Sequence, residues 1–127
     1  MLTICLLLTV GGCKKDVEPE PEPDLCENVN SAFQTQILPI FTASCALSGC
    51  HDDVAAEGDN IFDNYQNIKS SIQDDPEQFL RSINFEGGST GWMPRDNPEE
   101  NASQEDKLPA SQIMQIECWI ERGMPND

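Results

Sequence analysis

The chain has one histidine, one tyrosine and only 7 basic residues among its 127. Each scarcity removes a class of function. With 7 Lys and Arg against 23 Asp and Glu, the formal charge is −16. A surface this acidic repels nucleic acid and favours cationic partner surfaces. Aromatic residues make up only 6% of the chain and apolar residues 38%. A small domain with so little to bury needs a covalent or cofactor staple. The apolar run MLTICLLLTV, positions 1–10, falls short of the roughly 20 residues that span a bilayer. No alternation of apolar and polar residues marks a strand, and no segment repeats. No carboxylate pair, nucleophile–base constellation or phosphate-cradling loop is present, so an enzyme is not expected.

What is there begins with that apolar run. It has the length of a signal-peptide core and ends in small residues. The following VGGC resembles a bacterial lipobox, although no Lys or Arg precedes the run. The resemblance implies a signal peptide over 1–12 and lipidation at Cys13. Lys14 follows the cysteine where an aspartate would retain the protein at the inner membrane, which points to the outer membrane and leaves the face open. Residues 14–24, KKDVEPEPEPD, alternate Pro and Glu and cannot bury apolar surface. In polyproline II they make a spacer of roughly 30 Å. One folded domain is then expected over 25–127, with 13–24 as lipidated cysteine and spacer.

Four cysteines remain: Cys26, Cys45, Cys50 and Cys118. In an oxidising compartment free thiols are short-lived, so these should be paired or otherwise occupied. Four cysteines permit three disulfide pairings, or one pairing with two cysteines employed elsewhere. The segment CALSGCHD, positions 45–52, places the sole histidine, His51, directly after Cys50. A local Cys45–Cys50 disulfide leaves His51 unexplained. A zinc site needs a fourth ligand beyond Cys45, Cys50 and His51. Covalent haem attachment uses all three: two thiols add to two vinyl groups, and the adjacent imidazole ligates iron. The usual spacing is C-x-x-C-H and here it is C-x-x-x-x-C-H, so two extra residues must loop out. Gly49 supplies the backbone freedom for that turn.

Ahead of this segment Phe33, Ile37, Ile40 and Phe41 recur at helical spacing. Asn28, Asn30 or Ser31 is the expected cap, and Pro39 is expected to kink or shorten the last turn. DDVAAEGDN reads as a polar loop. Ile61, Tyr65, Ile68 and Ile72 form a second stripe, ended by Asp74-Asp75-Pro76. PEQFLRSINF starts on a proline suited to a first helical position and buries Phe79, Leu80 and Ile83. From Glu86 to Pro109 no period survives, and so long a stretch within a compact domain is functional or disordered. Ala110 to Arg122 is a closing helix with an apolar arc of Ile113, Ile116, Trp119 and Ile120. Cys118 lies opposite that arc, and Gly123 is the stop. The expected fold class is all-α.

LPIFTASCALSGCH, NYQNIKSSI, GWMPRDN and CWIERGMPND, taken in that order, resemble class I cytochrome c domains. The nearest likeness is to the cytochrome c-like domains of bacterial lipoproteins and planctomycete-type proteins. The resemblance spans Ile37 to Asn126. It implies a small cytochrome c-like fold, with crossed N- and C-terminal helices around haem c. It further implies attachment through Cys45 and Cys50, His51 as proximal ligand, Met93 as distal ligand, and Phe33 or Ile37 packed on Trp119. In such a fold the first and last helices touch, so the two leftover cysteines, Cys26 and Cys118, are expected to form a disulfide. With no second histidine, one chain cannot supply two imidazoles. Met114 lies within the terminal helix and Met124 beyond it, which leaves Met93 in the long loop as the sixth ligand. Arg95 is either a propionate partner or a solvated charge.

The expected function is therefore one-electron transfer by a membrane-anchored c-type cytochrome with His/Met ligation. Its partner is a redox protein with a basic docking surface, and nucleic acid is excluded. The alternatives are a haem sensor or peroxidase-like protein in which Met93 leaves the iron, and a haem-free, disulfide-stabilised interaction lipoprotein.

Overall fold

The computed structural model describes residues 24–95, 100 and 102–127. The expected signal peptide over 1–12, the expected lipidation site Cys13 and the expected spacer up to position 23 lie outside the described residues. Among those described, the chain is helical and contains no strand. The first helical segment opens as a π-helix over Phe33–Ile37 and continues as α1, Leu38–Ser44. Next come α2, Tyr65–Gln73, α3, Pro76–Ile83, and α4, Ala110–Glu121. Single 3₁₀ turns lie at Glu57–Asp59 and Ser89–Gly91. None of these helices is long and apolar enough to cross a membrane.

The start of the first helix differs from the sequence expectation in two respects. Ala32 occupies the N-cap position and supplies no side-chain bond. The cap comes instead from 94 residues away: Phe33 N–H donates to Asp127 Oδ1 at 2.9 Å. Gln34 N–H donates to the Asp127 main-chain oxygen at 3.0 Å. A carboxylate at this end also opposes the positive end of the helix dipole. Pro39 does not shorten the last turn; it sits in the first turn of α1, just past the change from π to α register. Lacking an N–H, proline is tolerated where a turn has no bond to receive from it.

Each middle helix is capped by a side chain just ahead of it. Asn64 Oδ1 accepts from Asn67 N–H at 3.1 Å to open α2. Asp75 Oδ1 accepts from Gln78 N–H at 2.9 Å to open α3, with Pro76 in the first turn. Ile61 falls outside α2, in the extended stretch before it, and its neighbour Phe62 is the buried residue. In α3 only Ile83 is fully buried; Phe79 and Leu80 pack against the core from its edge.

The core is built around Trp119, Phe33, Phe41, Ile37, Ile68 and Ile72, all with 0% exposure. The Phe33 and Trp119 rings lie 5.5 Å apart, so the π segment packs on α4. Tyr65 meets Phe33 edge-on at 5.0 Å. After α4 the chain reverses through Gly123, at φ +84°. Gly123 N–H donates to Ile120 O and Met124 N–H to Trp119 O, each at 2.9 Å. This is a Schellman stop, whose left-handed residue favours glycine. The tail then runs back across the core. Trp119 Nε1 donates to Pro125 O at 2.8 Å and Tyr65 Oη to Met124 O at 2.9 Å.

Cys26 and Cys118 form a disulfide across a sequence separation of 92. Cys118 lies off the apolar arc of α4 yet is only 1% exposed, because the incoming segment covers it. Arg122 ties down the same segment: its Nη1 donates to Val29 O at 3.0 Å and to Ser31 Oγ at 2.6 Å, and its Nη2 donates to Cys26 O.

Candidate functional site

The end of α1 delivers Cys45 into the core, where it is 8% exposed, while Cys50 stands half-buried. Both are free thiols. Burial, and secondarily the neighbouring Cys50, push the Cys45 thiol up to about 12. The turn between them closes by Cys50 N–H to Leu47 O at 2.9 Å and His51 N–H to Cys45 O at 3.2 Å. Gly49 sits at φ +84°, the left-handed conformation that lets the longer intercysteine segment double back.

The next loop fixes the imidazole. Asp52 Oδ1 accepts from Ala55 N–H at 2.7 Å, a bond three residues along the chain of the kind that short acidic side chains make at N-caps. Ala56, Gly58 and Asp59 follow with positive φ and coil the chain so that Asn60 passes beneath His51. Phe62 N–H donates to His51 O at 2.9 Å, and the Phe62 and His51 rings lie 4.7 Å apart. His51 Nδ1 is 3.1 Å from Asn60 O. A carbonyl only accepts, so Nδ1 carries the proton and Nε2 keeps a lone pair. A ring held through its other nitrogen by a main-chain carbonyl is the arrangement that orients metal-binding histidines.

Met93 enters from the opposite end of the domain sequence, in the connector after α3. Its N–H donates to Ser82 O at 3.1 Å. Cys45, Cys50, His51 and Met93 line one cavity of about 460 Å³, floored by Phe62 and Phe79. A volume of this size suits a small-molecule or cofactor site, and its wall mixes apolar side chains with polar ones such as Glu57, Asp75, Gln78 and Ser82. Neither of the other two methionines that follow the apolar leader reaches it. Met114 is 43% exposed on α4, and Met124 packs against the core from the tail. Arg95 also borders the cavity, and its Nη1 donates to Glu100 O at 3.1 Å. It is half-buried and bonded to the main chain rather than a free solvated charge.

The donor geometry separates the candidate cofactors. A single ion draws its ligands together, yet the one group of three or more such donors within 4.8 Å among the described residues is Asp24, Cys26 and Glu121. That group is no metal site, because Cys26 is spent in the disulfide. Glu121 Oε2 lies 3.1 Å from Cys26 Sγ, a contact without a proton to share. Cys45, Cys50 and His51 do not converge in that way. They stand instead as separate points on the cavity wall.

The sequence pattern missed Phe62, Asn60 and the pairing of Phe85 with Trp92. For Phe62 a signal existed, the apolar pair Ile61-Phe62 between polar neighbours. For Asn60 none did, since its contribution is a main-chain oxygen. Comparison with protein-family models, with curated proteins and with solved structures returns no match.

Proposed function

We propose that the domain binds haem c and serves as a one-electron carrier of cytochrome c-like fold, held at a membrane surface by lipidated Cys13. The observation that carries this reading is that Cys45, Cys50, His51 and Met93 line one cavity. Cys45 and Cys50 supply the two thiols that addition across vinyl groups requires, and both are free for it. His51 offers Nε2 from a ring already oriented by Asn60 O. Met93 offers a thioether from a loop that can approach from a different side of the cavity. Haem bound there would supply reversible ferrous–ferric exchange, with thioether ligation favouring the ferrous state. Phe62 and Phe79 supply the apolar part of the cavity wall, and an apolar surround on that side would raise the potential. If His51 and Met93 both held the iron, the chain would leave no open coordination site for substrate, which favours electron transfer over catalysis. The charge of −16 steers encounters with a basic redox partner, an effect that weakens as salt rises.

The test is a haem stain of the protein, expressed with cytochrome c maturation and run on a denaturing gel. The stain stays with the wild-type band, and Cys50→Ala loses most of it. Colourless wild-type protein carrying a Cys45–Cys50 disulfide would refute the proposal and favour the interaction lipoprotein.

A further inference from the structure

Phe85 adopts φ +59°, the left-handed region in which a bulky side chain is strained, and yet it is only 7% exposed. Strain of this kind persists only where the surroundings over-determine it, and it clusters at functional sites. The surroundings here are specific. The Trp92 ring stacks on Phe85 at 4.8 Å with the planes 15° apart. Lys107 Nζ stands 5.6 Å from the Phe85 ring centroid and donates to Asn84 O at 2.8 Å. Asn84 Nδ2 donates to Leu80 O at 3.1 Å and to Glu117 Oε1 of α4 at 2.9 Å. Phe85 is thus fixed from α3, from α4 and by a cation. Trp92 Nε1 is buried and has no hydrogen-bond partner among the described residues. An orphaned donor is destabilising, so the indole is kept there for its faces and not for its N–H.

Trp92 immediately precedes Met93, whose N–H bonds Ser82 O. We infer that Trp92 is a positioning residue: its stack on the strained Phe85 clamps the connector and holds the Met93 thioether at the cavity. The inference rests on the haem c reading for the use of that thioether, while the clamp itself can be read without haem.

The experiment compares full-length wild type with Trp92→Ala, Trp92→Phe and Ile116→Val, the last a mild core change remote from the connector. Two quantities are measured on each purified protein. One is hydrogen exchange at the Met93 amide; the other, in haem-loaded protein, is the thioether–iron absorption signature with the rate of carbon monoxide binding. Trp92→Ala should retain covalent haem but lose the signature. Its carbon monoxide binding and Met93 exchange should each quicken about tenfold, as loss of a stacked pair predicts. Trp92→Phe should restore both to near the wild-type values, and Ile116→Val should leave both unchanged while lowering the melting temperature. The inference is overturned if Met93 exchange in Trp92→Ala matches wild type. It is also overturned if Trp92→Phe behaves as Trp92→Ala, which would assign the role to the indole N–H. Wild type without haem would sink the proposed function and leave the exchange comparison to decide the clamp.

Discussion

Removing the Cys26–Cys118 disulfide should cost this domain much of its stability. The bond closes a loop whose ends are 92 residues apart in sequence. In the chain-entropy model, with −2.1 − 1.5R ln n cal/mol/K, such a loop is worth about 4.6 kcal/mol at 25 °C. A domain of this size has roughly 5–15 kcal/mol in all, so the bond accounts for a third or more of the total. At about 4 °C or more per kcal/mol, the melting temperature should fall by roughly 20 °C. The Arg122 bonds to Cys26 O, Val29 O and Ser31 Oγ persist in the folded state of the variant. They hold the incoming segment in place but leave the unfolded chain unrestrained, which is where the model locates the disulfide's effect. The variant is Cys26→Ala/Cys118→Ala, because alanine puts no hydroxyl into positions only 6% and 1% exposed. Urea unfolding followed by circular dichroism measures both the midpoint and the slope. The freed chain exposes more surface on unfolding, so the slope should rise. A loss under about 1 kcal/mol with an unchanged slope would refute the reasoning, and peptide mapping that finds both thiols free would refute its premise.

Three further outcomes are expected. Met93→Ala in haem-loaded protein should give high-spin or water-ligated haem, a lower potential and an iron open to carbon monoxide; unchanged spectra there, with the thioether signature lost in Met124→Ala, would move the ligand to Met124. The free Cys45 thiol is raised by burial from 9.0 to about 12, so the folded state keeps a proton that the unfolded chain gives up. Haem-free protein should therefore have the full contribution below pH 9 and lose about 4 kcal/mol as pH rises through 12. Denaturant unfolding of wild type and Cys45→Ala across that window checks the sign, and parallel losses in the two would contradict it. Asp127→Ala removes the side-chain cap on Phe33 N–H and should cost about 1 kcal/mol in thermal unfolding, with no measurable change counting against the distant cap.

The elements were legible in the sequence where their cause is local. Periodic apolar residues marked all four helices, because a 3.6-residue period places Ile68 and Ile72, or Ile113 and Ile116, on one face whatever else the chain does. Pro76 and Gly123 act on backbone groups within a few residues, so a helix start and a helix stop could be read from them. The spacing of Cys45, Cys50 and His51 likewise keeps the three side chains close together, since one turn holds them. What the spacing could not supply was any contact closed by the return of the chain. Asp127 caps a helix that starts at Phe33, and no residue near Phe33 hints at it. Phe62 joins the cavity wall because the Asp52–Asn60 loop coils under His51, a path set by the left-handed positions Ala56, Gly58 and Asp59 rather than by periodicity. The approach of Met93 to the same cavity depends on Ser82 O and on Phe85 meeting Trp92. Such pairings follow no period. They form only once α3 and α4 are packed, when burial makes the strained backbone of Phe85 the lowest-energy way to bring its ring and that of Trp92 together.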